Sequence, residues 1–258
     1  MSDTPAEQFA DTVAPLRLLR RRCAGCNRVI EGRPNKVYCS RACQERVHRQ
    51  RKNITKNVTV SGAIPSVIRG SNGVLIATVA KLGYLGQPDD IVLDTTYGRG
   101  LWWTRYRPEY LVALQGDFRD MDYDTESIPV VCYDPPYIST GNRETSSVDN
   151  LYDRYGLGDL KGWRAIRELI DDGFQECWRV LRPSGYLLVK CMDYVESGRK
   201  VWNTFHVAHQ GHELGLELVD RFHHLTGGGP QPMNNLDGSP REQKRAREVA
   251  SMLLVFRK

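Results

Sequence analysis

The chain has 258 residues, 40% of them apolar, with 36 basic and 31 acidic side chains and a formal net charge of +5. That length suits one full-size domain and a small appendage. No apolar run approaches the roughly 18 residues of a membrane span, and the polar, acid-bearing first 13 residues do not read as a signal peptide, so a cytoplasmic protein is expected.

Residues 1–16 are expected to form a flexible N-terminus. From Arg17 to Lys56 there are thirteen basic residues against two acidic ones, a net +11, which leaves −6 on the remainder. A compact basic module joined to a mildly acidic body is the footprint of a polyanion-binding attachment. Four of the seven cysteines fall in this segment, Cys23 and Cys26, then Cys39 and Cys43. The pattern is C-x2-C, twelve residues, C-x3-C, and four thiolates so spaced suit a tetrahedral zinc. Gly25 lets backbone N–H groups face the sulfurs. Cys39 and Cys43 can share one side of a helix start, with Ser40 placed to cap it. So small a segment cannot fold on apolar burial alone, and metal would supply most of its stability. Without a secretion signal, disulfides are the weaker reading. Four thiols complete the metal shell, so His48 is read as one more residue of a basic helix. The segment resembles the treble-clef or zinc-ribbon knuckles attached to nucleic-acid enzymes.

After a polar link the signals alternate between helix and strand. Residues 71–85 read as a helix that stops near Gly86-Gln87-Pro88. Residues 91–94 form a strand running into Thr95-Thr96-Tyr97-Gly98-Arg99-Gly100. Residues 110–114 and 128–133 are two more strands, and 162–181 has helical periodicity. A turn at Arg182-Pro183-Ser184-Gly185 leads into a strand over 186–191. Residues 201–214 are a further helix, and 216–222 and 252–256 are the last strands. Such alternation predicts an α/β fold, a mostly parallel sheet with helices on both faces. Cys132, Cys177 and Cys191 lie in apolar surroundings and are read as small core residues. The histidines between His206 and His224 are read as scattered core or surface residues, not as a metal site.

Asp134-Pro135-Pro136-Tyr137 follows a short apolar run, at the C-terminal end of a strand, where open α/β sheets place chemistry. Two prolines stiffen the backbone and continue neither helix nor central strand. A carboxylate, unpaired carbonyls and an aromatic face so converge that a planar group with an exocyclic NH2 fits between them. The plain alternative is a turn after a strand. Upstream, Asp94 and the glycines Gly98 and Gly100 let a loop approach a cofactor closely. The loop lacks the G-x-G-x-x-G of dinucleotide sites, and the helix after it, from Leu101-Trp102-Trp103, is too short to receive a pyrophosphate well. A cofactor without phosphate fits better, and S-adenosylmethionine is one.

Asp94-x-x-x-Gly98-x-Gly100 followed by Asp134-Pro135-Pro136-Tyr137 resembles the class I S-adenosylmethionine-dependent methyltransferases, with their Rossmann-like fold. More narrowly, it is similar to DNA amino-methyltransferases that modify adenine N6 or cytosine N4, in particular small methylases of bacteria and phages. The resemblance covers about residues 60–258. It implies that Asp94, Thr95, Tyr97, Gly98 and Gly100 line the cofactor's methionine end, and that Asp117, with Asp120 as rival, binds its ribose or adenine. It implies that Asp134 and the Pro135 carbonyl accept the two amine hydrogens, that Pro136 holds the turn, and that Tyr137 stacks on the flipped base.

Asp134 follows Gly100 by only 34 residues, which leaves no room for a long recognition segment. DNA reading then falls to the zinc module and to polar loops over 138–162 and 226–247. The expected activity is DNA methylation, with adenine N6 leading. Cytosine N4 or an RNA base is the alternative within the same chemistry, and a catalytically idle DNA-binding protein is the alternative of another class. The sequence leaves the oligomeric state open.

Overall fold

The structure, a computed structural model, describes residues 21–23, 28–30, 38–46, 62–136, 162–196, 198–227 and 245–258. Residues 1–16, Cys26, His48, Tyr137 and most of the two polar loops lie outside the described residues. No described helix is long and apolar enough to cross a membrane.

Near the N-terminus two short strands, β1 (Arg21–Arg22) and β2 (Val29–Ile30), pair antiparallel. The N–H of Cys23 donates to the Arg28 carbonyl at 2.8 Å, closing the hairpin beside the first expected zinc ligand. A helical stretch follows over residues 41–46.

The large unit is built on a seven-stranded sheet. In chain order its strands are β3 (Val67–Arg69), β4 (Ile91–Asp94), β5 (Tyr110–Ala113), β6 (Ile128–Tyr133) and β7 (Leu181–Cys191). A separate two-stranded hairpin, β8 (Tyr194–Glu196) and β9 (Arg199–Val201), comes next, and β10 (Glu217–Leu225) and β11 (Ala250–Arg257) complete the sheet. The spatial order is β3-β10-β11-β7-β6-β4-β5. β11 is antiparallel to both neighbours, and every other ladder of the sheet is parallel. This is the mostly parallel sheet that the alternation of signals predicts, in the Rossmann-like form that the resemblance implies.

Helices cover both faces. α1 (Asn72–Lys81) and a 3-10 turn (Leu101–Thr104) pack on one side with Trp102, Trp103 and Phe222. α2 (Gly162–Val180) and α3 (Asn203–Glu213) lie over a second core that holds Phe118, Tyr133, Phe174 and Phe256. α2 buries Ile166, Leu169, Ile170, Gly173, Phe174, Cys177 and Val180, one stripe at three- and four-residue spacing. The central strands are buried on both faces. In β6, Val131 and Tyr133 face the α2 side, and Val130 and Cys132 face the α1 side.

The same alternation positions the site. Val92 faces the α1 side, so Asp94, two residues on, does too. By the same count Asp134 follows Cys132, Lys190 follows Leu188, and His224 follows Phe222. A polar row thus crosses one face of the sheet near the C-terminal ends of its parallel strands.

Candidate active site

Asp94 ends β4 and is buried. Its Oδ1 accepts from the N–H of Thr96 at 3.0 Å, and its Oδ2 from the indole Nε1 of Trp103 at 2.6 Å. Burial pushes its carboxyl up to about 7 from an ordinary value of 3.8. The hydrogen bonds from Trp103 and Thr96 oppose the rise, and the nearby Asp134 charge adds to it.

Asp134 follows β6 directly. Its Oδ2 accepts from Trp102 Nε1 at 3.1 Å and faces Lys190 Nζ at 3.6 Å. Asp134 is half-buried, its side chain 24% exposed, and this partial burial raises its carboxyl as well, while the Lys190 ammonium and the Trp102 donor work against that. The N–H of Asp134 donates to Thr96 Oγ1 at 2.7 Å. Thr96 therefore touches both carboxylate residues, the side chain of one through its N–H and the backbone of the other through its hydroxyl.

Two neighbouring tryptophans divide the work. One short 3-10 turn points Trp102 at Asp134 and Trp103 at Asp94, with their rings 6.2 Å apart. The turn begins at Gly100, whose φ of 69° is left-handed. A Cβ there would lie 2.7 Å from Tyr97 Oη, so only glycine lets the loop fold over that ring. Tyr97 is fixed in turn, its hydroxyl accepting from Arg107 at 3.0 Å. Gly98 also has positive φ, 50°.

The remaining expected residues are placed as follows. Thr95 is buried and donates its hydroxyl hydrogen to the Cys132 carbonyl at 3.0 Å, stitching the end of β4 to β6. Asp117 stands in the loop after β5, gripped by Arg119 through contacts of 2.5 to 3.0 Å, and this partner holds its carboxyl below the usual range. Pro135 is buried and Pro136 half-buried. Tyr137 falls outside the described residues.

Sequence reasoning missed Thr96, Trp102, Trp103 and Lys190 as parts of this site. Alternation gave one signal: a lysine two residues after buried Leu188, on a strand covered on both faces, calls for a carboxylate partner. His224 is a core histidine, as expected. It is within 2.9 Å of the Gly70 carbonyl, and burial lowers its pKa.

The sulfurs of Cys23, Cys39 and Cys43 lie within 4.8 Å of one another. Arg46 reaches Cys43 Sγ at 3.2 Å, and the N–H of Cys39 reaches Cys23 Sγ at 3.2 Å. Three converging thiol groups, one receiving a backbone N–H, suit a zinc ion, and Cys26, the fourth expected ligand, is outside the described residues. The module touches the large unit through Tyr38, whose hydroxyl donates to the Glu109 carbonyl at 2.8 Å.

No protein-family model matches the chain, and neither does any curated protein. Among solved structures it is similar to a provisionally named DNA modification methylase of Thermus thermophilus complexed with S-adenosyl-L-methionine. Identity there is 15% over 65% of this chain and 53% of that one, with a TM-score of 0.36. It is also similar to the PvuII cytosine-N4-specific DNA methyltransferase, at 16% identity over 56% of this chain and 49% of that one, TM-score 0.38. A SAM-dependent methyltransferase from Aquifex aeolicus is matched at 10% identity over 70% of this chain and 88% of that one, TM-score 0.37. The chain spans about half the length of the first structures it matches. At TM-scores of this size the likeness is loose.

Proposed function

We propose that this chain is an S-adenosylmethionine-dependent DNA methyltransferase acting on the exocyclic amine of a flipped base, with adenine N6 as the acceptor. The reading is carried by the carboxylate of Asp134, held from one side by Trp102 and Lys190 at the end of a central strand, beside the Asp94 and glycine loop.

The residues fit the proposed cofactor. Asp94 is a buried carboxyl pushed up to about 7, which a neighbouring cation would hold ionised, and the cofactor has an ammonium. Two left-handed glycines shape the loop next to it. The following 3-10 turn has four residues and offers no long helix N-terminus for a pyrophosphate. Asp94, Tyr97, Gly98 and Gly100 would hold the methionine end. Thr95 and Thr96 would keep that loop joined to β6. Asp117 would take the ribose once Arg119 yields one of its contacts.

When bound, S-adenosylmethionine supplies a sulfonium methyl group whose carbon the amine lone pair attacks, leaving a neutral thioether. The chain's own residues position the amine. Asp134 accepts one of its hydrogens and the Pro135 carbonyl the other, which draws the nitrogen toward a tetrahedral shape and localises its lone pair. Asp134 also takes, or passes to water, the proton that the methylated nitrogen sheds. The main contributions are alignment and preorganised charge. Tyr137 would stack on the extruded base. The basic zinc module, with Cys23, Cys26, Cys39 and Cys43 as ligands, would hold the DNA backbone.

Asp134→Ala tests the assignment. It is expected to abolish methyl transfer while calorimetry still shows cofactor binding. Transfer at the wild-type level would remove Asp134 from the site.

A further inference from the structure

Lys190 occupies a place where an ammonium is costly. β7 reads Leu187-Leu188-Val189-Lys190-Cys191 between β6 and β11, and all five residues are buried. Pairing of Tyr133 with Val189 sets the next residues, Asp134 and Lys190, side by side at the strand ends. Lys190 Nζ and Trp102 Nε1 both approach Asp134 Oδ2, at 3.6 and 3.1 Å. Among the described residues no donor engages Oδ1.

We propose that Lys190 is a positioning residue that keeps Asp134 ionised and its Oδ1 turned to the acceptor, so that the site takes a nitrogen bearing hydrogens and rejects a base edge offering only a carbonyl oxygen. This rests on the methyl-transfer reading above. An ionised carboxylate can only accept hydrogen bonds, whereas a protonated one offers an O–H and would hold a carbonyl instead. Burial favours the protonated form of Asp134. The charged and titratable groups facing it are Lys190 from β7, His224 from β10 and Asp94 from β4. Asp94 disfavours ionisation; Lys190 is the largest influence in its favour, ahead of the Trp102 donor and of His224, whose own pKa burial lowers.

The test is Lys190→Met beside Lys190→Arg, read first without any turnover. In protein labelled with carboxyl-13C aspartate, the Asp134 resonance is identified by its loss in Asp134→Asn and followed against pH. Lys190→Met is expected to raise its midpoint by at least about one pH unit, and Lys190→Arg to leave it near the wild-type value. An unmoved midpoint in Lys190→Met overturns the proposal. The acid limb of kcat/KM for methyl transfer to duplex DNA should move up with the midpoint, while the KM for cofactor stays unchanged. If wild-type protein transfers no methyl group to any amine and the midpoint still moves, the functional reading fails and the Lys190–Asp134 relation stands. If transfer occurs and neither quantity moves, the role of Lys190 fails alone. Lys190→Gln, neutral but polar, is judged by the same midpoint should the methionine variant not fold.

Discussion

Trp102 donates its indole hydrogen to Asp134 across 3.1 Å, and the adjacent Trp103 makes the matching bond to Asp94 at 2.6 Å. One turn of chain therefore steadies both carboxylates, the one proposed to meet the acceptor and the one proposed to meet the cofactor. The two roles are separable by mutation. Trp102→Phe should lower kcat/KM for methyl transfer about 10- to 100-fold, the value of a hydrogen bond to a charged group, with the cofactor Kd little changed. Trp103→Phe should instead weaken cofactor binding. Calorimetry and single-turnover kinetics on both variants check the division.

Burial pushes the Asp94 carboxyl up to about 7 in the folded protein, against 3.8 ordinarily. A raised carboxyl pKa means that the folded state holds the proton more tightly. The associated stability is fully present below about pH 4 and is lost as pH rises through 7. Its magnitude is at most about 4 kcal/mol. Asp94→Asn should flatten this part of the stability profile, measured by denaturant unfolding between pH 5 and pH 8. Wild-type cofactor affinity should rise over the same interval, because the ammonium favours ionised Asp94.

Gly173 lets α2 lie against β6. A Cβ at this position would fall 2.2 Å from Tyr133 Oη and 2.6 Å from the Phe118 ring. Those two rings meet edge to face at 5.3 Å beneath the helix. Gly173→Ala should destabilise the protein by about 1–3 kcal/mol through overpacking. Urea unfolding would show it as a lower midpoint with an unchanged slope.

The cysteine cluster predicts about one zinc per chain. Cys39→Ser should lose the metal and weaken DNA binding, while the far-ultraviolet circular dichroism of the large unit stays near wild type. Metal analysis of the purified protein gives the stoichiometry, and its absence would remove the zinc module.

Legibility in the sequence followed burial. β6 stood out because both of its faces are covered, so all six of its residues are buried and apart from Pro129 it reads as one apolar run. The stripe on α2 was equally plain. β3, β8 and β9 went unseen because three-residue strands such as Arg199-Lys200-Val201 carry no period to read. The turn at Arg182-Pro183-Ser184-Gly185 was seen, with Ser184 at φ 63°, yet β7 begins before it, at Leu181, and takes it as an irregularity in its ladder with β6. The strand-end positions of Asp94 and Asp134 could be read from the apolar runs before them. The places of Trp102, Trp103 and Lys190 in the site could not, because their partners are set by the register of the sheet and by a 3-10 turn. Neither is written in local spacing.

The most direct measurement is transfer of a labelled methyl group from S-adenosylmethionine to duplex DNA, followed by digestion to nucleosides. Label in N6-methyladenine, lost in Asp134→Ala, is the predicted result. Label confined to tRNA or rRNA, or absent from every nucleic acid while the cofactor still binds, would contradict it.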